Sequence, residues 1–255
     1  MTDIVVSVQD YLNKNKQKIQ AAMPSGANFD RFARVAVNAI STTPQLQRCS
    51  IQSLFLSIVQ ALSIGIEPNG PTQEGYLVPF KGHASFMPSY RGLISLARRS
   101  GLIRSIYADV IHENDEYNIE RGTKPSIFHK VDLTKDRGKI VAYYAVMVDK
   151  DGNTDFEVMT PDEIESIRNK SKAKDSGPWQ TDYEEMAKKT VIKRLLKRAP
   201  MSVENNLLAK AVEADHKAAM GEAQDIIDIE GIEVPPDEPQ KASRFEDNKI
   251  AGELL

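Results

Sequence analysis

Apolar residues recur at three- and four-residue intervals through much of the chain, and the recurrence is interrupted at Pro and Gly. Phe29, Phe32, Ala36 and Ile40 keep helical spacing after the break at Pro24, Ser25 and Gly26, and predict a short amphipathic helix. Ser50 opens a more apolar helix that places Leu54, Ile58, Ala61 and Leu62 on one side and ends at Gly65. Residues 1–22 are only loosely periodic in Ile4, Val8, Tyr11, Leu12 and Ile19. They are expected to form a polar helical extension, either available to a neighbouring subunit or frayed.

From residue 75 the period changes. Residues 75–80 and 84–88 flank Lys81, Gly82 and His83 as the two arms of a β-hairpin, with Pro79 and Pro88 at positions suited to an edge. Residues 89–100 return to helix, with Leu93, Leu96 and Ala97 inside, Arg91, Ser95, Arg98 and Arg99 outside, and Gly101 closing it. Residues 102–111 alternate as a strand, and 139–149 with 154–159 form a second hairpin turned at Asp151 and Gly152. Thr160, Pro161 and Glu163 begin a capped helix. Thr181 and Glu184 have the spacing of another capping box, and Pro200 sets the far limit of the helix that follows. Leu207, Leu208, Ala211 and Val212 predict one more helix.

The pattern predicts an α+β fold: a small antiparallel β core of two hairpins plus a strand, packed with several helices. Residues 1–28 form the helical extension, 29–200 the core and 201–220 a helix. Residues 221–255, acidic, Pro-containing and poor in aromatics, are expected to be a mobile tail whose apolar insets (Ile226, Ile227, Ile229 and residues 250–255) could dock a partner.

Charge sharpens the picture. The net charge of −3 over 255 residues hides a division along the chain. Residues 201–255 hold five Lys or Arg against thirteen acids, a net −8 that leaves +5 on residues 1–200. A basic body with an acidic tail points to a nucleic-acid partner for the body. The lone Cys49 excludes an intramolecular disulfide and a multi-cysteine zinc site, consistent with a cytoplasmic protein, and neither an export signal nor a long apolar run is present. No cofactor is signalled.

The cations concentrate in two places. Residues 168–198 carry ten Lys or Arg against four acids, with Trp179 between the two basic runs. In the helix after Trp179, Val191, Ile192, Leu195 and Leu196 form an apolar side, and Lys189, Lys193 and Lys197 an adjacent stripe. Lys188 falls near the middle of the apolar side, which suggests that this side lines a cleft. The second concentration is the outer side of residues 89–100, with Tyr90 at its start. Cations interleaved with aromatic rings suit single-stranded nucleic acid, the charges following phosphates and a ring stacking on an unpaired base. A solvated helix face, and for Trp179 a core position, are the plainer alternatives.

Several longer strings then match one pattern: GIEP at 65–68, GYLVPF at 75–80, YRGLISLARRSG at 90–101, YAVMVDKDG at 144–152, MTPDEIESIRNKSKA at 159–173 and PWQTDYEEMAKKTVIKRLLK at 178–197. Over residues 30–200 the chain resembles the RecT family of phage-type single-strand annealing recombinases. The resemblance implies ATP-independent binding of single-stranded DNA and its annealing to a complementary strand during recombination, by a homo-oligomeric ring or helical filament. It implies a fold distantly similar to eukaryotic annealing proteins, and work beside a phage exonuclease and a host single-strand binding protein, met through the C-terminal tail. On this reading Tyr90, Arg91, Arg98, Arg99, Lys172, Lys174, Trp179, Lys188, Lys189, Lys193, Arg194 and Lys197 contribute to a groove for the strand and the annealed intermediate, with Arg91, Lys188 and Lys193 foremost.

Two other readings compete. Asp109, His112, Glu113, Asp115 and Glu116 could hold divalent ions for a nuclease, although neighbouring carboxylates on a strand end are usually solvated. The charges equally admit an RNA-binding chaperone. Neither HExxH, Walker A, GxGxxG nor GxSxG spacing occurs.

Overall fold

A computed structural model describes residues 3–172, 174–175, 178–199, 206–222 and 229–237. Four helices come first: α1 (Asp3–Lys14), α2 (Lys16–Ala22), α3 (Phe29–Thr42) and α4 (Ile51–Ile64). Side-chain oxygens start two of them, Asn28 accepting from the Arg31 amide at 3.0 Å and Ser50 from the Ser53 amide at 3.3 Å. Gly65, at φ +74°, ends α4 in the left-handed region.

The N-terminal residues are not a loose extension. Ile4, Val5, Val8, Leu12 and Ile19 are buried with Phe29, Ile40, Leu54 and Phe55 in one apolar cluster, so α1 packs on α3 and α4 of its own chain. Its weak periodicity in sequence reflects burial on only one narrow face.

Helix α4 is the shared wall of the fold, since Leu54 and Leu62 belong to that cluster and Ala61 and Ile64 to the main core. It is followed by the antiparallel hairpin β1 (Gly75–Phe80) and β2 (His83–Pro88). Two buried serines join them: Ser53 Oγ accepts from the Ala84 amide at 2.9 Å and Ser57 Oγ donates to the Ala84 carbonyl at 2.9 Å. Helix α5 (Tyr90–Arg99) leaves this hairpin, capped by Ser89. Gly92 sits against the preceding loop so closely that a Cβ would lie 2.0 Å from the Glu74 carbonyl oxygen, which accounts for glycine in the YRGLIS string.

The central sheet has strand order β3–β6–β7, all antiparallel, from β3 (Ile103–His112), β6 (Ile140–Asp149) and β7 (Thr154–Met159). One face carries Ile106, Tyr143, Ala145 and Met159 into the main core beneath α5 and α8 (Tyr183–Leu196). The opposite face carries Ile111, Tyr144, Val146 and Phe156 and is covered by a hairpin absent from the sequence-based expectation, β4 (Glu116–Glu120) with β5 (Ser126–Lys130). Its inward residues Ile119 and Ile127 are too few to dominate a segment rich in charge.

Helix α6 (Pro161–Arg168) begins with the expected capping box of Thr160 and Glu163. The second expected box does not form. Thr181 ends a four-residue helix, α7 (Pro178–Thr181), its hydroxyl bonds Asp182, and α8 starts one residue later with Asp182 at its N-cap. Helix α8 ends at Leu196, and Pro200, the expected boundary, lies outside the described residues. Helix α9 (Asn206–Met220) packs across β2 and against α5 and α4.

A further difference concerns the segment expected to be a mobile tail. Residues 229–237 lie along the N-terminal helices, with Ile229, Ile232 and Val234 against the cluster of α1, α3 and α4. Ile226, Ile227 and residues 250–255 lie outside the described residues. Among the described residues no helix is long and apolar enough to cross a membrane.

Candidate nucleic-acid interface

The basic helix α8 is wedged between three partners. Val191, Ile192, Leu195 and Leu196 are buried over the central sheet, as their spacing requires. On one flank Lys189 and Lys193 both reach Asp215 of α9, Lys193 Nζ lying 2.5 Å from Oδ2. These side chains are 9%, 21% and 4% exposed, so the pair of ammonium groups and its one carboxylate form an internal triad. On the other flank Arg194 bonds Glu163 of α6 at 3.1 Å and lies 3.7 Å from Glu157 of β7. Arg198 pairs with Asp155 and Glu157, and Arg121 adds a third cation to Glu157 at 2.9 Å. Much of the ridge read from the sequence as free cation is therefore held by carboxylates of the same chain. Of the Lys189, Lys193 and Lys197 stripe, Lys197 remains exposed, and among the described residues no carboxylate pairs with it.

Trp179 occupies the core position. It is 6% exposed, its ring 5.8 Å from that of Tyr183, and together they fill the corner where α7 turns into α8. In this conformation its faces are not offered to a base.

Helices α5 and α8 are in contact. Arg91 is exposed and donates to Gln73 Oε1 at 3.2 Å. A side-chain hydrogen bond with Tyr90 raises the Arg91 pKa, with smaller contributions from Tyr76 on β1 and Glu185 on α8. Lys188 stands one turn along α8 from Glu184 and Glu185, at 2.7 and 3.3 Å. Partial burial opposes its charge, but the two carboxylates outweigh that and raise its pKa. Lys188 is thus cationic on the sheet side of α8, where it also senses Tyr143. Tyr90, half-buried against the core, and exposed Tyr76 supply rings beside Arg91. The arrangement is one cation on each of two contacting helices, with the rings of Tyr90 and Tyr76 beside Arg91, which suits a phosphate chain running across both.

The remaining candidates lie further out. Arg99 donates to the Gly65 carbonyl at 3.0 Å, at the end of α5 nearest α4. Arg98 is exposed beside it and, among the described residues, has no carboxylate partner. Lys172 is exposed with its amide bonded to the Ala219 carbonyl, and Lys174 is half-buried, its carbonyl accepting from Arg168 Nε at 3.1 Å.

The acidic group proposed as a metal site is dispersed. Asp115, its side chain 1% exposed, accepts from Arg137 Nη2 at 2.7 Å and Nε at 3.0 Å, contacts His129 Nε2 at 3.0 Å and accepts from the His112 amide at 2.8 Å. Those contacts, that from Arg137 first, hold its carboxyl well below the usual carboxylate range. Asp109 accepts from the Val110 amide and Glu116 pairs with Lys130 at 3.4 Å. Among the described residues no three His, Cys, Asp or Glu are grouped to hold an ion. Arg137, Arg121 and Gln73 were missed by sequence reasoning, because a single charge or amide in a loop carries no periodic signal. Tyr76 was passed over as one more alternating strand residue.

Against known proteins, the sequence model of the RecT family matches residues 30–228, which contain α5, α8 and α9. The chain is 40% identical over 210 residues to Protein RecT of Escherichia coli K12, covering 79% of this chain and 77% of that one. It is 26% identical over 174 residues to Uncharacterized protein YqaK of Bacillus subtilis 168, covering 68% of this chain and 60% of that one.

Proposed function

Since the chain belongs to the RecT family, we propose that it binds single-stranded DNA and anneals complementary strands in recombination, without ATP, as a homo-oligomeric ring or filament. The observation carrying this reading is the family match, which spans both helices of the candidate interface. The chemistry agrees with it. Annealing needs a strand gripped by its phosphates with base edges left free for a complement, so cations and rings suffice and base-edge readout is superfluous.

Within the proposed interface Arg91, Lys188 and Tyr90 meet the strand first, and Arg98, Arg99, Lys172, Lys174 and Lys197 extend the contact. Lys189, Lys193 and Arg194 act through α8, their carboxylate partners fixing its position, and Trp179 acts by shaping the corner before it. An exonuclease that exposes the strand and a host single-strand binding protein are the partners such work implies, met through the acidic C-terminal region, residues 221–255. The protein acts by binding, without a catalytic site, in the cytoplasm of a bacterial host.

Mixing labelled complementary oligonucleotides with the protein and magnesium, in the absence of nucleotide, tests this. Pairing is expected to be faster than without protein, with both strands intact. Shortened strands would favour the nuclease, and unaccelerated pairing would remove the annealing function. Repeating the assay with matched RNA separates a DNA annealer from an RNA chaperone.

A further inference from the structure

The negative charge of the C-terminal region is concentrated in one stretch. Residues 222–237 hold six acids and no Lys or Arg, whereas residues 238–255 hold four acids and three Lys or Arg. The stretch starts beside the candidate interface. The Lys172 amide bonds the Ala219 carbonyl at 3.1 Å, and a Cβ on Gly221 would lie 3.3 Å from Lys172 Cγ, so exposed Glu222 begins next to a lysine proposed to contact the strand. The chain then leads away from it. Residues 229–237 bond α1, α2 and α4, and among the described residues no hydrogen bond or ion pair joins them to a cation of the interface.

The seat is built from hydrogen bonds to main chain rather than from charge. Asn15, at the junction of α1 and α2, is 1% exposed; its Oδ1 accepts from the Glu233 amide at 2.8 Å and its Nδ2 donates to the Glu233 carbonyl at 2.9 Å. Gln52 Nε2 donates to the Pro235 carbonyl at 3.1 Å, and Lys18 to the Gly231 carbonyl. Gly231, at φ +70°, lies in the turn closed by the Ile232 amide on the Ile229 carbonyl, which sets both isoleucines against the cluster of α1, α3 and α4. The carboxylates are left over. Glu230, Glu233 and Asp237 are exposed, and Lys14 comes only within 3.9 Å of Glu233. The seat thus fixes where these charges stand without neutralising them.

We propose that the Asn15 seat is a holding site for the most acidic stretch of the chain, and that release from it lets that stretch compete with single-stranded DNA for the cations of α5 and α8. The inference rests on the DNA binding proposed above. Residues 223–237, extended, span at most about 50 Å. From Glu222 they therefore reach along two helices that are only about 15 and 21 Å long. A competitor tethered in this way acts at an effective concentration of about millimolar, enough for weak charge contacts to matter. Held on the N-terminal helices, the same carboxylates stay off the strand's path.

Two full-length variants test it. Asn15→Ala removes the amide, and Gly231→Val strains the left-handed turn on the segment itself while leaving the N-terminal helices untouched. Both should be cleaved faster than the native chain after Glu230 and Glu233 by a glutamyl endopeptidase. Both should also bind oligothymidine roughly three- to fivefold more weakly at about 0.15 M salt, where charges more than about 8 Å apart are screened. Adding Asp225→Asn, Asp228→Asn, Glu230→Gln and Asp237→Asn to each variant should restore native affinity, which a general loss of folding would not allow. The same four changes in the native chain should alter affinity by less than about twofold. Unchanged cleavage in both variants would show that the seat does not hold the segment and overturn the proposal. Unchanged affinity, a loss that neutralisation does not restore, or an equal gain on neutralising the native chain would overturn the competition while leaving DNA binding intact. A native chain that fails to bind oligothymidine overturns the DNA reading and this inference with it.

Discussion

Replacing Asp215 with alanine is expected to destabilise the protein by about 3–5 kcal/mol, because it strands two ammonium groups, those of Lys189 and Lys193, beneath α9 with no counter-charge. Little water can take the place of the carboxylate, since the Lys189 side chain is only 9% exposed. Urea titration should show a lower midpoint with an unchanged slope. Replacing all three members, Lys189→Met and Lys193→Met with Asp215→Leu, should recover most of the loss, because the penalty comes from unpaired charge rather than from the absence of an ion pair. The same triad predicts a pH dependence. Burial acts to raise the Asp215 pKa, but Lys189 and Lys193 outweigh it, and the folded-state value is depressed. Its contribution is complete above the ordinary carboxylate pKa of about 3.9 and is lost as pH falls through the folded value. A stability that stayed level on acidification below pH 4 would contradict the triad.

Asp115→Ala should be the next most damaging change, at about 3 kcal/mol. It leaves the Arg137 guanidinium without its bidentate partner and removes an acceptor from His129, whose ring is also 3.1 Å from the Tyr144 hydroxyl. His129 lies on β5 and Arg137 in the loop after it, so the loss falls on the attachment of the β4–β5 hairpin to the central sheet. At roughly 2–4 °C per kcal/mol for a protein of this size, the melting temperature should drop by about 6–12 °C. Strand annealing measured well below that temperature should be unaffected. An annealing defect without a stability change would instead place Asp115 in the functional surface.

How far the sequence could be read follows from the range of each signal. Elements written in a few adjacent residues were legible: the Ser50 cap, the Thr160–Glu163 box and the turn at Gly152 all form. The second box failed because Thr181 and Asp182 bond each other, a choice the spacing does not reveal. The β4–β5 hairpin was obscured because the sheet needs only its inner face to be apolar. Residues 229–237 read as a tail from their composition, yet the partner that orders them, Asn15, lies more than two hundred positions earlier. The site followed the same rule. Amphipathic spacing located α5 and α8 and put Arg91, Lys188 and Lys193 foremost, but could not distinguish a free cation from a paired one: Lys188 bonds Glu184 and Glu185 one turn away. Lys189 and Lys193 find Asp215 only once α9 has folded back, and Arg194 finds Glu163 thirty-one residues upstream.

The central claim is that α5 and α8 present one phosphate-gripping surface through Arg91 and Lys188. Its most direct test is the salt dependence of single-stranded DNA binding by the native chain and by the Arg91→Ala, Lys188→Ala double variant. Each lost phosphate contact should reduce the steepness of log K against log salt by about 0.7, so the double variant should be shallower by about 1.4. A double variant with the native slope would contradict the account.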